Sequence, residues 1–369
     1  MATDRPAPPA DASGGMSERV DLRALTGARG IAAWLVVLYH IRLSIAGLPQ
    51  GVVDVLAKGY LAVDFFFLLS GFVMWMTWGV RLREGGWRAA VAFLTKRVAR
   101  VWPLHAVLLG AAALLAMAMA ATGRHDPREF PFDALPAHLL LVQDWGLADP
   151  LSWNDPAWSI SAEIAAYLLF PLLALAIDWR RVPSWVVIAA IAGLCFLLAA
   201  AFAQSGAPTL GTDIARFGVV RCVIEFAAGT AVAALWARWR GSARASVGAA
   251  IVAAIVLASP LPEPLRVPTG FASLLLALAL TSERRGNPLS ATAIHYLGQV
   301  SYATYLGHFL LWIVFKLLLV SDAHAVPSVL VALYLMLVFA SSVALHHLVE
   351  MPAQRAILAR APRRPLARV

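Results

Sequence analysis

The feature that most constrains this chain is a recurring run of roughly 20 residues with few or no charges, the length a helix needs to cross about 30 Å of hydrocarbon. Such runs fall near 28–46, 59–79, 103–121, 157–177, 184–202, 217–237, 245–261, 267–282, 298–320 and 326–348. Inside a bilayer every backbone N–H and C=O needs an internal partner, which a helix supplies. The expected fold is therefore all-α: a polytopic membrane protein of about ten transmembrane helices. Composition agrees, since 60% of residues are apolar and 14% charged, more apolar than a soluble core of this length requires. The seventh and eighth runs are short, and Pro262, Pro264 and Pro268 crowd their junction. They read either as two crossings or as one re-entrant hairpin, and either leaves the sidedness downstream unchanged.

Sidedness follows from the cations, because cytoplasmic connections carry the excess of Lys and Arg. Of 30 such residues, Arg42, Lys58, Arg124, Arg128, Arg216 and Arg266 fall on one set of alternate connections, while Arg221 and Lys316 lie within runs. All others fall on the opposite set, which places both termini in the cytoplasm. The first run lacks a small-residue cleavage site and reads as a retained helix. Residues 1–20, rich in Pro, Ala, Gly and Ser, form an expected disordered tail. A membrane domain then spans 21–352, and 353–369 is a basic tail. The cations sit in short clusters between apolar runs rather than in one patch with interleaved aromatics, which argues against nucleic acid. Cys195 and Cys222 lie inside apolar runs, which argues against a disulfide framework or a thiol metal site, and no metal is expected.

An ionisable side chain in hydrocarbon costs about 2.5–3.5 kcal/mol on the lenient insertion scale, so each is a functional candidate. The candidates are His40, Asp64, Glu163, the Arg221 and Glu225 pair, and His308. A neutral imidazole can take a proton from a hydroxyl, and a carboxylate on its other nitrogen stabilises the imidazolium formed. His40 with Asp64 or Glu163 suits that role; a bland interfacial histidine bonded to a backbone carbonyl is the alternative. Arg221 and Glu225 are four apart on one helical face and are expected to neutralise each other as a structural pair. At the cytoplasmic face Arg29, Arg97 and Arg100 could hold the phosphates of a nucleotide-like donor. Membrane insertion alone also explains cations there.

Several segments resemble the membrane-bound acyltransferase-3 family. LTGARGIAAWLVVLYH places Arg29 and His40 as in the family's first helix, and GYLAVDFFFLLSGFVM, with Asp64, is similar to its second. FLTKRVARVWPLH resembles its basic third-helix start, and WSISAEIAAYLLFP, with Trp158, Ser159 and Glu163, its fourth. GQVSYATYLGH, with Tyr305 and His308, and the Glu350 to Pro352 element complete the series. Gly307 stands where a large aromatic is common, and the arginine pattern before the third helix is loosely met. The resemblance implies a bacterial inner-membrane enzyme moving an acyl group, often acetyl, from cytosolic acyl-CoA to a hydroxyl of a carbohydrate. The acceptor would be a polysaccharide, a lipid-linked glycan or a macrolide sugar.

On this reading His40, Glu163 and Asp64 are catalytic, and Arg29, Arg97 and Arg100 bind the donor. Arg221, Glu225, Tyr305, His308, Trp158 and Ser159 are structural or line the path. Arg29 and His40 are separated by roughly 16 Å along a straight helix, about the reach of a pantetheine arm. A membrane transporter is the competing class, but it usually shows paired repeats with broken helices, and none is evident.

Overall fold

A computed structural model describes residues 22–284 and 286–360; the expected N-terminal tail and most of the C-terminal one lie outside them. Among the described residues there is no strand, only a bridge between Ile45 and Val326. The helices are α1 (Arg23–Ile41), α2 (Gln50–Ala57), α3 (Ala62–Ala121), α4 (Leu135–Leu139), α5 (Ala157–Ala176) and α6 (Ser184–Gln204). Then come α7 (Ile214–Trp239), α8 (Ala243–Ala258), α9 (Glu263–Thr281), α10 (Thr292–Leu319), α11 (Ser328–Leu345) and α12 (Met351–Arg360). Five starts follow a proline: Pro49, Pro156, Pro183, Pro262 and Pro327 precede α2, α5, α6, α9 and α11. Its ring fixes φ, and it disfavours helix in the residue before it, so it marks where a helix begins.

Eight segments of the described chain are helical, long and apolar enough to cross a membrane, counting 50–121 as one. That segment departs from the expected loop between the second and third crossings. Helix runs through the whole basic connection and breaks at Gly86, whose φ of 54° and ψ of −138° lie outside the helical region. The connection is made of good helix formers such as Leu82, Arg83, Glu84 and Ala89, so without hydrocarbon to stop it the helix continues into water. Its two arms correspond to the second and third expected spans. α8, with 16 residues, and α9 are separate helices, not one continuous apolar segment.

Two seams hold the bundle. Between α3 and α7, Gly71 lies on the Phe226 carbonyl and Gly229 on the Leu68 carbonyl, with no room for a Cβ on either. Aromatic rings pack beside this contact, Phe93 against Phe170 at 5.3 Å and Phe170 against Phe226 at 5.5 Å. Between α1 and α10, Gly30 meets the Gly298 backbone, Gly298 meets the Thr26 carbonyl, and Gly27 meets Leu289 before α10. Small residues let membrane helices approach until backbones touch, which gives packing its leverage where lipid removes the hydrophobic drive. The long connection at 122–156 is also packed: Phe130 and Trp153 are buried, and the Trp153 indole donates to the Pro131 carbonyl at 3.0 Å.

Gly298→Ala is expected to cost about 1–3 kcal/mol, as overpacking does, and to lower the unfolding temperature in detergent. Gly193→Ala is the control, because an added Cβ there meets nothing within 4 Å. Equal unfolding temperatures for the two variants would show that the α1–α10 contact is looser than described.

Candidate active site

α1 carries Arg29 and His40 at its two ends, and α10 receives both. Toward the α1 start, Arg29 Nε donates to Ser301 Oγ at 2.9 Å and a terminal nitrogen donates to the Gly298 carbonyl at 2.6 Å. The close glycine seam is what brings that carbonyl within reach. Arg29 lines a cavity of about 420 Å³ together with Arg97, Arg100, Ser70, Glu163 and Tyr167. The Tyr167 hydroxyl donates to Glu163 Oε1 at 2.6 Å and lies 3.3 Å from Ser70 Oγ.

The three arginines differ in how they are occupied. Arg29 is held by α10, and Arg100 is ion-paired with the buried Glu350. Arg97 Nε is buried without a hydrogen-bond partner among the described residues. An anion entering the cavity therefore meets one guanidinium not already engaged by the protein's own acceptors.

At the other end of α1, two carbonyls decide where the protons of a histidine pair sit. His308 Nδ1 faces the Thr304 carbonyl at 3.1 Å, and His40 Nδ1 faces the Val36 carbonyl at 2.9 Å. A carbonyl oxygen only accepts, so in the neutral rings each Nδ1 carries its hydrogen. His308 Nε2 is then a bare acceptor, 3.1 Å from His40 Nδ1. The remaining lone pair of His40 is on Nε2, and Asp155 Oδ1 stands 3.6 Å from it. Tyr39 and Phe309 pack edge-on against the His40 ring, at 5.0 and 5.3 Å between centroids. His40 thus presents a fixed lone pair on Nε2 with the half-buried Asp155 carboxylate beside that same nitrogen, while His308, not a carboxylate, stands at Nδ1.

Between the two ends stands Tyr305, whose hydroxyl is 2.7 Å from Ser159 Oγ. Its ring packs edge-on to Phe66 at 5.6 Å, and His308 lies beyond at 6.5 Å. Tyr305, Phe66 and Ser159 line the arginine cavity, while His40 and His308 do not.

Two sequence expectations are corrected here. Arg221 pairs with Asp64, not Glu225: Nε and a terminal nitrogen each reach one Asp64 oxygen at 2.6 Å, and the third nitrogen donates to the Leu210 carbonyl at 2.9 Å. The α3–α7 seam brings Asp64 into bidentate reach, a geometry preferred over a neighbour on the same helix face. Both Glu225 oxygens are left buried without a partner among the described residues. The acid beside His40 is likewise Asp155, with Asp64 committed to Arg221 and Glu163 to the arginine cavity. Trp158 packs on the buried pair, 5.6 Å from the Arg221 guanidinium carbon.

Residues 22–347 match the family model described as an acyltransferase domain. The chain belongs to this acyltransferase family. Its relatives include the Acyltransferase MdmB of Streptomyces mycarofaciens, 36% identical over 160 residues, 42% of this chain and 39% of that protein. Protein 2 in the picA locus of Rhizobium radiobacter is 29% identical over 189 residues, 48% of this chain and 93% of that protein. The chain thus spans well under half the length of MdmB. No solved structure matches it. Every motif named above from Arg29 to His308 lies within the part matched to the acyltransferase family.

Asp155 and Asp144 carry no motif and were missed by sequence reasoning. For Asp155 the available signal was its position two residues before α5, on the same face as His40. Asp144, in the same long connection, is buried against Gly218 of α7 with both oxygens unpartnered among the described residues. Burial pushes its carboxyl up to about 8, against a smaller downward pull from Arg221. The folded state therefore holds a proton that the unfolded chain releases near 4. The resulting stabilisation is complete below pH 4 and is lost as pH rises toward 8. Asp144→Asn is expected to flatten the fall in unfolding temperature between about pH 5 and 8; an unchanged slope would place the titration elsewhere.

Proposed function

We propose that this protein moves an acyl group, acetyl in the simplest case, from cytosolic acyl-CoA to a hydroxyl of a glycan or lipid-linked sugar at the outer face of the bacterial inner membrane. The observation that carries the reading is the placement of an arginine-lined cavity and an oriented, basic histidine on the same helix pair, α1 and α10. Ten crossings, counting both arms of α3 and the short α8, would leave both termini on one side, and the excess of Lys and Arg there supports assigning that side, with the arginine cavity, to the cytoplasm. The CoA phosphates rest on Arg97, with Arg29 and Arg100 beside it, because Arg97 is the guanidinium with bonding capacity to spare. The pantetheine arm follows the roughly 16 Å from Arg29 to His40, displacing Tyr305 from Ser159 on the way.

His40 Nε2 takes the proton of the acceptor hydroxyl as its oxygen attacks the thioester carbonyl. Asp155 and His308 stabilise the imidazolium from its two sides. When the tetrahedral intermediate collapses, the C–S bond breaks and His40 returns the proton to the departing thiolate, giving the ester and free CoA. No proton is gained or lost overall. Glu163 stays with Tyr167 in the donor cavity and shapes it.

The test is release of free CoA thiol in membranes supplied with acetyl-CoA and acceptor, which also separates acyl transfer from transport. His40→Ala is expected to lower turnover by 10²-fold or more, the usual scale of general-base loss, and Asp155→Asn by roughly tenfold. Wild-type turnover in His40→Ala membranes would end the base assignment. Arg97→Ala is expected to raise KM for acyl-CoA about tenfold or more with little change in kcat, since a charge-assisted hydrogen bond contributes about 1.5–3 kcal/mol. An unchanged KM would move the phosphate seat to Arg29 or Arg100.

A further inference from the structure

α8 and α9 form a wedge. Near the α8 end and α9 start they touch, since a Cβ on Gly270 would strike Leu257. Toward the α8 start, Gly248 faces open space, where a Cβ would meet nothing within 4 Å. The gap is backed by α6 and α7 and forms a second cavity of about 480 Å³, lined by Ile191, Val232, Leu235, Trp239, Ala249 and Leu276 among others. Its walls are apolar apart from Thr269 and Ser273, unlike those of the donor cavity, and no residue of the candidate site lines it. An empty space of this size would forfeit dispersion contacts along its whole lining. Water would find too few polar partners to fill it. Hydrocarbon is what the surroundings supply.

The mouth of the wedge says which hydrocarbon. Four arginines gather where α7 ends and α8 begins, and they differ in their partners. Arg240 is paired with Glu283 at 2.6 Å. Arg238 donates to Ser184 Oγ at 3.2 Å and to the Trp179 carbonyl at 2.5 Å, and Arg284 donates to Ser246 Oγ at 2.8 Å, all neutral acceptors. Arg244 is exposed, with no acidic partner among the described residues. Three guanidinium groups thus lack a carboxylate partner beside the slot, whose lining includes Trp239 and Ala245, the sequence neighbours of Arg238 and Arg244. α8 spans only about 24 Å at 1.5 Å per residue, short of a 30 Å core, which draws headgroups toward its start.

We propose that this wedge binds one acyl chain of an anionic phospholipid, with its phosphate seated among Arg238, Arg244 and Arg284. The site is separate from the acyl-transfer centre and does not depend on that reading.

Native mass spectrometry of the full chain, released from micelles holding equal phosphatidylglycerol and phosphatidylethanolamine with identical chains, tests it. One phosphatidylglycerol adduct is expected to survive activation in preference to phosphatidylethanolamine. Gly248→Leu fills the open space and is expected to reduce that adduct at least tenfold with the unfolding temperature kept. Ala245→Leu serves as a second filling variant if the first is unstable. The double variant Arg244→Gln, Arg284→Gln is expected to bring the two lipids to parity. Equal retention of both lipids by the unmodified protein, or an undiminished adduct in a folded filling variant, overturns the proposal.

Discussion

The glycine contact between α1 and α10 is the constraint on which the rest of this structure depends. Gly27, Gly30 and Gly298 allow the two helices to meet at backbone distance, and each end of the candidate site is then completed by α10. Arg29 finds the Gly298 carbonyl and Ser301, and His40 finds His308. A wider crossing would separate both pairs at once, leaving an arginine without its anchors and an imidazole free to turn. One packing decision therefore fixes the orientation of two groups roughly 16 Å apart.

Hydrocarbon sets the terms for every polar group in this bundle. In water an unpaired carboxylate is solvated, whereas in the membrane it must find a partner or hold a proton. The chain solves this differently at different depths. At the arginine cavity Glu350 pairs with Arg100, while Ser301 and the Gly298 carbonyl orient Arg29 without neutralising it, and Arg97 remains a guanidinium to spare. At the other end of α1, backbone carbonyls four residues back orient both imidazoles. The same carbonyls that close the helix ladder thus leave His40 Nε2 as the free basic nitrogen.

Much of this was legible in the sequence because it depends on one helix at a time. Apolar runs and prolines located the helices, and the interval from Arg29 to His40 fixed their spacing on α1 without reference to any neighbour. What the sequence could not show depends on two helices together. Arg221 and Glu225 share a face at the right spacing, yet the partner is Asp64, because Gly71 and Gly229 bring α3 to the Arg221 side of α7. Asp155 was one acid among several in a long connection until the packing of that connection brought it to His40. The helical connection within α3, interrupted only at Gly86, was hidden because charge marked it as a loop, although charge excludes a segment from hydrocarbon and not from helix.

The buried Asp64–Arg221 pair also separates chemistry from architecture within the family-like motifs. Taking two charges out of water costs several kcal/mol each, and their attraction does little more than offset that, so the pair adds little net stability. Removing one partner is another matter, costing about 3–5 kcal/mol because the other charge is left unmatched. Any substitution at Asp64 alone would therefore abolish activity through the fold, and would look catalytic in an assay that reads only turnover. His40 is different in kind. It is partly accessible, its ring is held by neutral acceptors, and its loss strands no full charge in hydrocarbon. A deficit there, in a protein that remains folded, reports on proton transfer.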